Sequence, residues 1–161
     1  MNPVEIEIKL KSQNYIEPEM IVAAFEFWFK DSEHIRSPFP LYIQEELREK
    51  AIDKFLSWST GISDKAKKEI NDEILAEKFE EILFEVAESM VLTEDEKLTI
   101  KYPFMIRVGD VIKDKAKPDE KSESKVVDRW TLKKGDEVFM KVKCKNTVSG
   151  EEWQTEFELP E

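Results

Sequence analysis

The chain contains a single histidine and a single cysteine, and these two residues limit its nucleophilic chemistry. A Ser-His-Asp or Cys-His system would have to use His34, which lies in the charged segment DSEH, the usual setting of a surface histidine. Cys144 alternates with Lys143 and Lys145, a pattern that predicts a buried thiol of low reactivity. One cysteine and one histidine cannot supply the four ligands of a structural zinc site, so we expect no such site.

Three glutamates are the remaining candidates for chemistry. Glu77, Glu81 and Glu88 share one face of a predicted helix and could hold a divalent cation or form an acid/base pair. Glutamates that recur opposite an apolar stripe are, however, the usual composition of a solvated helix face. The sequence therefore predicts no catalytic residue and no metal ligand.

The glycines argue against a nucleotide site. All four lie at predicted turns or helix ends, and the sequence contains neither GxxxxGK[ST] nor GxGxxG. No glycine is left to form a loop around phosphates, and we expect no cofactor.

The segment FEFWF, residues 25–29, lies in a predicted helix over about 18–31. Pro18 suits the first turn of a helix. At about 100° per residue, one apolar stripe is formed by Ile21, Val22, Phe25, Trp28 and Phe29. Phe27 lies on the far side, so this helix has two apolar faces. Both faces could be buried, or the second could bind a partner.

Two further helices are predicted. One covers about 41–59, and Gly61 marks its end. The other covers about 64–92, with Ser63 as its N-cap and a break near Asn71-Asp72. Its apolar stripe faces away from a ridge of glutamates, and Phe84 lies in that ridge. We expect Phe27 and Phe84 to help pack the first helix against the third.

The remaining elements are predicted strands. Val4 to Leu10 alternate apolar and charged residues, and the same period continues over 98–106. Further strands flank turns at Gly135 and Gly150. In the last hairpin, the alternation predicts a buried apolar face and a charged face exposed to water, with the pairs Lys145–Glu152, Lys143–Gln154, Lys141–Glu156, Cys144–Trp153 and Met140–Phe157.

These elements predict a single α+β domain over residues 1–161. Its helical part covers about 18–92 and its mainly β part about 97–159. We expect an antiparallel sheet of about five strands, with two to three helices packed on one face and inserted after the first strand.

The net charge of −11 is concentrated in the first part of the chain. Residues 1–99 hold 12 basic and 23 acidic side chains, whereas residues 100–161 hold 13 of each. An acidic surface repels nucleic acids and anionic membranes, so neither is an expected partner, whereas a basic protein is. The chain begins with alternating residues rather than a signal peptide, which makes the cytoplasm the expected location.

Two functions are compatible with these features. The first is a non-catalytic protein-interaction module, in which Phe27, Phe84, Glu77, Glu81 and Glu88 contact a partner. The second is a small-molecule or acyl-group binding protein or enzyme with an apolar pocket between a helix and a curved sheet. That pocket would be lined by Trp28, Phe79, Trp130 and Trp153, which could equally be ordinary core residues.

Overall fold

The computed structural model describes residues 19–31, 35–113 and 123–160, and these residues belong to two compact units. The first unit extends to Pro103 and the second begins at Phe104. The strand predicted from Val4 to Leu10 and the histidine His34 lie outside the described residues. The prediction that the chain forms a single domain stays a prediction.

The described part of the chain is broadly α+β, as the sequence predicts. Its helices are α1 (Glu19–Phe29), α2 (Leu41–Thr60), α3 (Asp64–Glu69), α4 (Asp72–Met90) and α5 (Glu94–Lys101), and its strands are β1 (Val111–Lys113), β2 (Glu123–Lys134), β3 (Glu137–Asn146) and β4 (Glu152–Glu158). The sequence thus predicted too few helices, and it predicted about five strands where the described residues form four. Among these residues, no helix is long and apolar enough to cross a bilayer.

The boundaries of the central helices follow from local capping. The backbone N–H of Gly61 donates to the carbonyl of Trp58 and ends α2. The Ser63 side chain caps α3, and the Asn71 side chain accepts a hydrogen bond from the Ile74 N–H to begin α4. The predicted break near residue 71 is therefore present, because Asn71 caps a new helix.

The core of the first unit is built from three helical stripes. The buried residues are Ile21, Ala24, Phe25 and Trp28 of α1, Ile43, Leu47, Ala51 and Phe55 of α2, and Leu75, Phe79, Ile82, Leu83, Val86 and Ala87 of α4. Phe79 has no accessible surface, and its ring packs edge-on against Phe25 and Phe55 at centroid distances of 5.5 and 5.3 Å. The 3.6-residue period therefore identified most of this core correctly.

The strand predicted over 98–106 is wrong, because residues 94–101 form α5. Thr93 and Glu96 make a capping box, in which the Thr93 side chain accepts from the Glu96 N–H and the Glu96 carboxylate accepts from the Thr93 N–H. Two orphan backbone donors are satisfied in this way, which favours a helix over the strand that the alternating apolar residues suggest. Ile100 is the residue of α5 that is buried.

The second unit contains an antiparallel sheet of order β1-β2-β3-β4. The predicted register of the last hairpin is confirmed, with Cys144 opposite Trp153 and Lys143 opposite Gln154. Cys144 is fully buried, but Trp153 and Phe157 keep 39% and 38% of their surface exposed, which corrects the prediction that they lie on a buried face. Within the described sheet, β4 is an edge strand, so its side chains have a neighbouring strand on one side only.

The ion pairs of Glu152 and Glu156 are formed with lysines other than those directly opposite in the register, whereas Lys113 of β1 pairs at 3.3 Å with Glu123, its direct partner on β2. Lys143 Nζ lies 2.9 Å from the Glu152 carboxylate, and Lys134 reaches across the ring of Phe139 to place its Nζ 2.6 Å from Glu156. The hydrogen bond from Lys143 lowers the pKa of Glu152, and the hydrogen bond from Lys134 lowers the pKa of Glu156.

Truncation of Phe79 should test the aromatic core. Phe79→Ala should lower the free energy of unfolding by about 3–5 kcal/mol, because it removes a fully buried ring and leaves a cavity between α1, α2 and α4. Phe27→Ala is the matched control: it removes the same side chain from a position that is 45% exposed, and should cost about 1 kcal/mol or less. Urea denaturation followed by circular dichroism measures both, and equal losses would contradict this core.

Acid should weaken the sheet through Glu152 and Glu156. Their folded-state pKa values are lowered, so their contribution is present above the unfolded value of about 4.3 and is lost as the pH falls through the folded values. We expect the wild type to be more stable than a Glu152→Gln/Glu156→Gln variant near neutral pH, with the difference disappearing in acid. Denaturation curves over a pH series test this, and a difference that does not change with pH would refute it.

Candidate functional site

A groove of about 460 Å³ opens on the surface of the helical unit. It is lined by residues of α1, of α4, and of the end of α5 with the chain just beyond it: Trp28, Glu81, Phe84, Glu85, Glu88, Ile100, Lys101 and Pro103. We name it the acidic groove, because three of its lining side chains are carboxylates and one is an ammonium. Its remaining lining residues are apolar.

The two rings at the floor of the acidic groove are held by contacts with their neighbours. The rings of Trp28 and Phe84 meet edge-to-face at a centroid distance of 4.8 Å, and Phe84 also packs on Phe39 at 5.1 Å. The indole N–H of Trp28 donates to the Glu80 carboxylate at 3.2 Å, which fixes the orientation of the ring. Because these rings already touch, no space remains between them for a cation, and the groove presents them as an apolar surface.

The wall of the groove is a row of carboxylates on α4. Glu81, Glu85 and Glu88 are spaced at i, i+4 and i+7, so they extend over about 10 Å, or two helical turns. Glu81 forms a 3.5 Å ion pair with Lys78, and Glu85 forms a 3.2 Å pair with Lys54. All three glutamates are exposed, so the wall faces water and can exchange its ion-pair partners.

The sequence of α4 explains why apolar and acidic residues meet here. The helix carries seven carboxylates and one lysine, a formal charge of −6, and its other side forms the buried stripe of the core. Phe84 projects from the acidic side, about 20° from the direction of Glu77 and 40° from that of Glu88 on a helical wheel. An aromatic ring among glutamates on one helix face therefore produces both the floor and the wall.

The position of α5 is set by contacts outside the groove. The Tyr42 hydroxyl at the start of α2 donates to the Glu96 carboxylate at 2.6 Å, and the Leu92 N–H donates to the same hydroxyl. This hydrogen bond raises the pKa of Tyr42 and lowers the pKa of Glu96. The contact ties the beginning of α5 to α2, and α5 in turn carries Ile100 and Lys101 to the groove.

The residues predicted to bind a partner are partly brought together. Phe84, Glu81 and Glu88 line the acidic groove, whereas Glu77 is exposed on α4 outside it. Phe84 packs against Trp28 of α1, as predicted, but Phe27 does not join a buried core between helices. Its ring is 45% exposed and lies edge-on against Trp28 at 4.7 Å.

The residues predicted to line a ligand pocket are divided between the two units. Trp28 and Phe79 belong to the helical unit, and Trp130 and Trp153 belong to the sheet. The indole N–H of Trp153 donates to the Ser124 hydroxyl at 2.8 Å. A shared pocket of these four residues stays a prediction.

Sequence reasoning missed half of the groove. The predicted site does not include Glu85, and the sequence places the other three missing residues in a strand: Ile100, Lys101 and Pro103. The signal that could have located them is the Thr93-x-x-Glu96 capping box, which begins α5 and sets the helical position of Ile100. No local pattern, by contrast, indicates that α5 lies beside α4.

A second cleft of about 360 Å³ lies beside α1. The Arg48 guanidinium rests over the Phe25 ring at 4.5 Å, and the Gln44 amide donates to the backbone carbonyls of Phe29 and Phe39 at 3.4 and 2.9 Å. These polar side chains hold the helices and the following segment together. Their roles here are structural.

The described residues contain no group of three or more His, Cys, Asp or Glu side chains arranged to hold a metal ion. Glu77, Glu81 and Glu88 thus do not converge on one point, although they share a helix face. The carboxylates of the groove can attract cations as a row, but they do not form a coordination sphere.

The chain resembles no known protein closely enough to assign it to a family. No family model, no curated protein and no solved structure matches it significantly.

The burial of Cys144 predicts low reactivity. The thiol has no accessible surface, and burial raises its pKa, so few thiolates form near neutral pH. A thiol reagent should modify Cys144 far more slowly than an exposed thiol, and should reach full labelling only in denaturant. A Ser57→Cys variant supplies a matched exposed thiol on α2. Equal labelling rates at the two positions in the native protein would contradict the burial of Cys144.

Proposed function

We propose that the helical unit is a non-catalytic protein-interaction module that binds a basic protein partner through the acidic groove. The observation that carries this proposal is the combination of an exposed row of carboxylates with a preformed aromatic floor. Carboxylates alone would indicate only a solvated helix. Apolar lining residues between them provide the surface whose burial stabilises a complex.

The charge of α4 favours a basic partner over other macromolecules. Its formal charge of −6 repels phosphates of nucleic acids and anionic lipids, and it attracts lysine and arginine side chains. Electrostatic attraction would speed the encounter, and contact with the floor would slow dissociation.

The alternative function predicted from the sequence is the binding of a ligand in an apolar pocket between a helix and a curved sheet. The burial of Phe79 weighs against this alternative, because a residue with no accessible surface has no cavity the size of a water molecule beside it. Its ring is surrounded by other rings of the helical core instead. The interaction module is therefore the better supported function.

The test is whether the groove carboxylates, rather than the total charge, bind a cationic chain. The probe is a synthetic peptide of lysine and alanine, and the variant is Glu81→Gln/Glu85→Gln/Glu88→Gln. Each exposed ion pair is worth about 0–1 kcal/mol, so we expect the variant to bind the peptide about tenfold more weakly. Isothermal titration calorimetry at low ionic strength measures the affinity, which should fall as salt is added.

A charge-matched control separates the groove from the rest of the acidic surface. Glu45→Gln/Glu46→Gln/Glu49→Gln removes the same number of charges from exposed positions on α2. We expect this control to change the affinity by about twofold or less, because it leaves the groove intact. If both triple variants weaken binding equally, the peptide recognises only the net charge and the proposed function is wrong.

A further inference from the structure

We infer that the occupant of the acidic groove is a basic amphipathic α-helix that inserts apolar side chains between its lysines or arginines, an inference that rests on the proposed function. Three properties of the groove specify the partner: the structure of its walls, the spacing of its carboxylates and its apolar floor.

The walls favour a helix over an extended peptide. The groove lies between α4 and the end of α5. The backbone groups of α4 from Glu81 to Glu85 are paired within the helix, and at the end of α5 the N–H groups are paired although the last carbonyls are not. Such walls offer few free N–H and C=O groups to an extended chain, which needs main-chain partners for its own backbone. A helix satisfies its backbone internally and presents only side chains, which is what this groove can receive.

The spacing of the carboxylates fits a helical partner. Glu81, Glu85 and Glu88 follow one another at i, i+4 and i+7 along two turns of α4. A second helix lying along α4 would repeat its side chains at the same interval, so cations at i, i+4 and i+7 could each meet one carboxylate. On the opposite wall, Lys101 leaves the groove with a formal charge of −2 and would disfavour a partner that is basic on every face.

The floor supplies the part of recognition that charge cannot. Trp28 is 7% exposed and Ile100 2%, so they offer little surface to a ligand, and the partly exposed Phe84 and Pro103 supply the rest of the apolar lining. A flexible lysine chain cannot bury this surface without bringing its charge into it, which is costly. Leucine or another apolar side chain between the cations can fill it, and the volume of about 460 Å³ accommodates a few such side chains rather than a whole helix.

The experiment compares two peptides of identical composition on the unmodified protein. Each has about 15 residues of lysine and leucine, one arranged as an amphipathic helix and the other scrambled so that the leucines are spread around the helix. Burial of one or two leucines predicts that the amphipathic peptide binds about tenfold to a hundredfold more tightly than the scrambled one. Equal affinities would overturn the inference.

Photo-cross-linking identifies the binding site without mutating the core. A diazirine analogue replaces one leucine of the amphipathic peptide, and mass spectrometry locates the cross-links. We expect them within α4 and from Ile100 to Pro103, and cross-links confined to other parts of the chain would overturn the inference.

The outcomes separate this inference from the proposed function. If the lysine-alanine peptide binds in a manner that depends on Glu81, Glu85 and Glu88 but the amphipathic peptide gains nothing over its scramble, the module binds basic chains and only the helical occupant is wrong. If the two triple variants bind the lysine-alanine peptide with equal affinity, the proposed function fails and the inference fails with it. Tighter amphipathic binding that is abolished by Glu81→Gln/Glu85→Gln/Glu88→Gln supports both.

Discussion

The helical unit depends on one continuous series of aromatic contacts. Nine rings, each within 5.5 Å of the next between centroids, run in the order Phe27, Trp28, Phe84, Phe39, Phe29, Phe25, Phe79, Phe55 and Trp58. Most of the contacts are edge-to-face, the arrangement in which the positive edge of one ring meets the negative face of another. This series links α1, α2, α4 and the segment that joins α1 to α2, so the four aromatic residues of FEFWF hold the unit together.

The same series explains how a small unit holds two aromatic rings in place at the acidic groove. Phe79 and Phe55, next to the end of the series at the partly buried Trp58, are fully buried, and the other end, at Phe27, is 45% exposed. Trp28 and Phe84 lie between these ends and form the groove floor. Because the core fixes these two rings from behind, a ligand would not have to order them, and the entropy lost on binding would be small.

The sequence predicted the parts of this structure that local patterns determine. Helical periodicity identified the stripes of α1, α2 and α4, and strand alternation identified the register of β3 and β4, since a slip of one residue would bury charged side chains. The prediction is wrong at α5, where the alternating apolar residues indicate a strand although Thr93 and Glu96 form a capping box that begins a helix. The acidic groove could be predicted only in part, because Phe84 and its glutamates share one helix, whereas Ile100 and Pro103 arrive through tertiary packing.

The basic stripe on β3 and the acidic stripe on α4 differ in how far their charges are paired. The lysines of β3 lie beside the glutamates of β4, with Lys143 and Glu152 in direct contact, so the basic stripe is largely neutralised within its own sheet. On α4, seven carboxylates have one lysine on the same helix, and Lys54 of α2 reaches only one of them. Neutralised charge contributes to register and to local stability, whereas excess charge creates a field that extends into solvent over about 8–10 Å. The acidic helix rather than the basic strand is therefore the surface on which recognition of an oppositely charged partner is physically favoured.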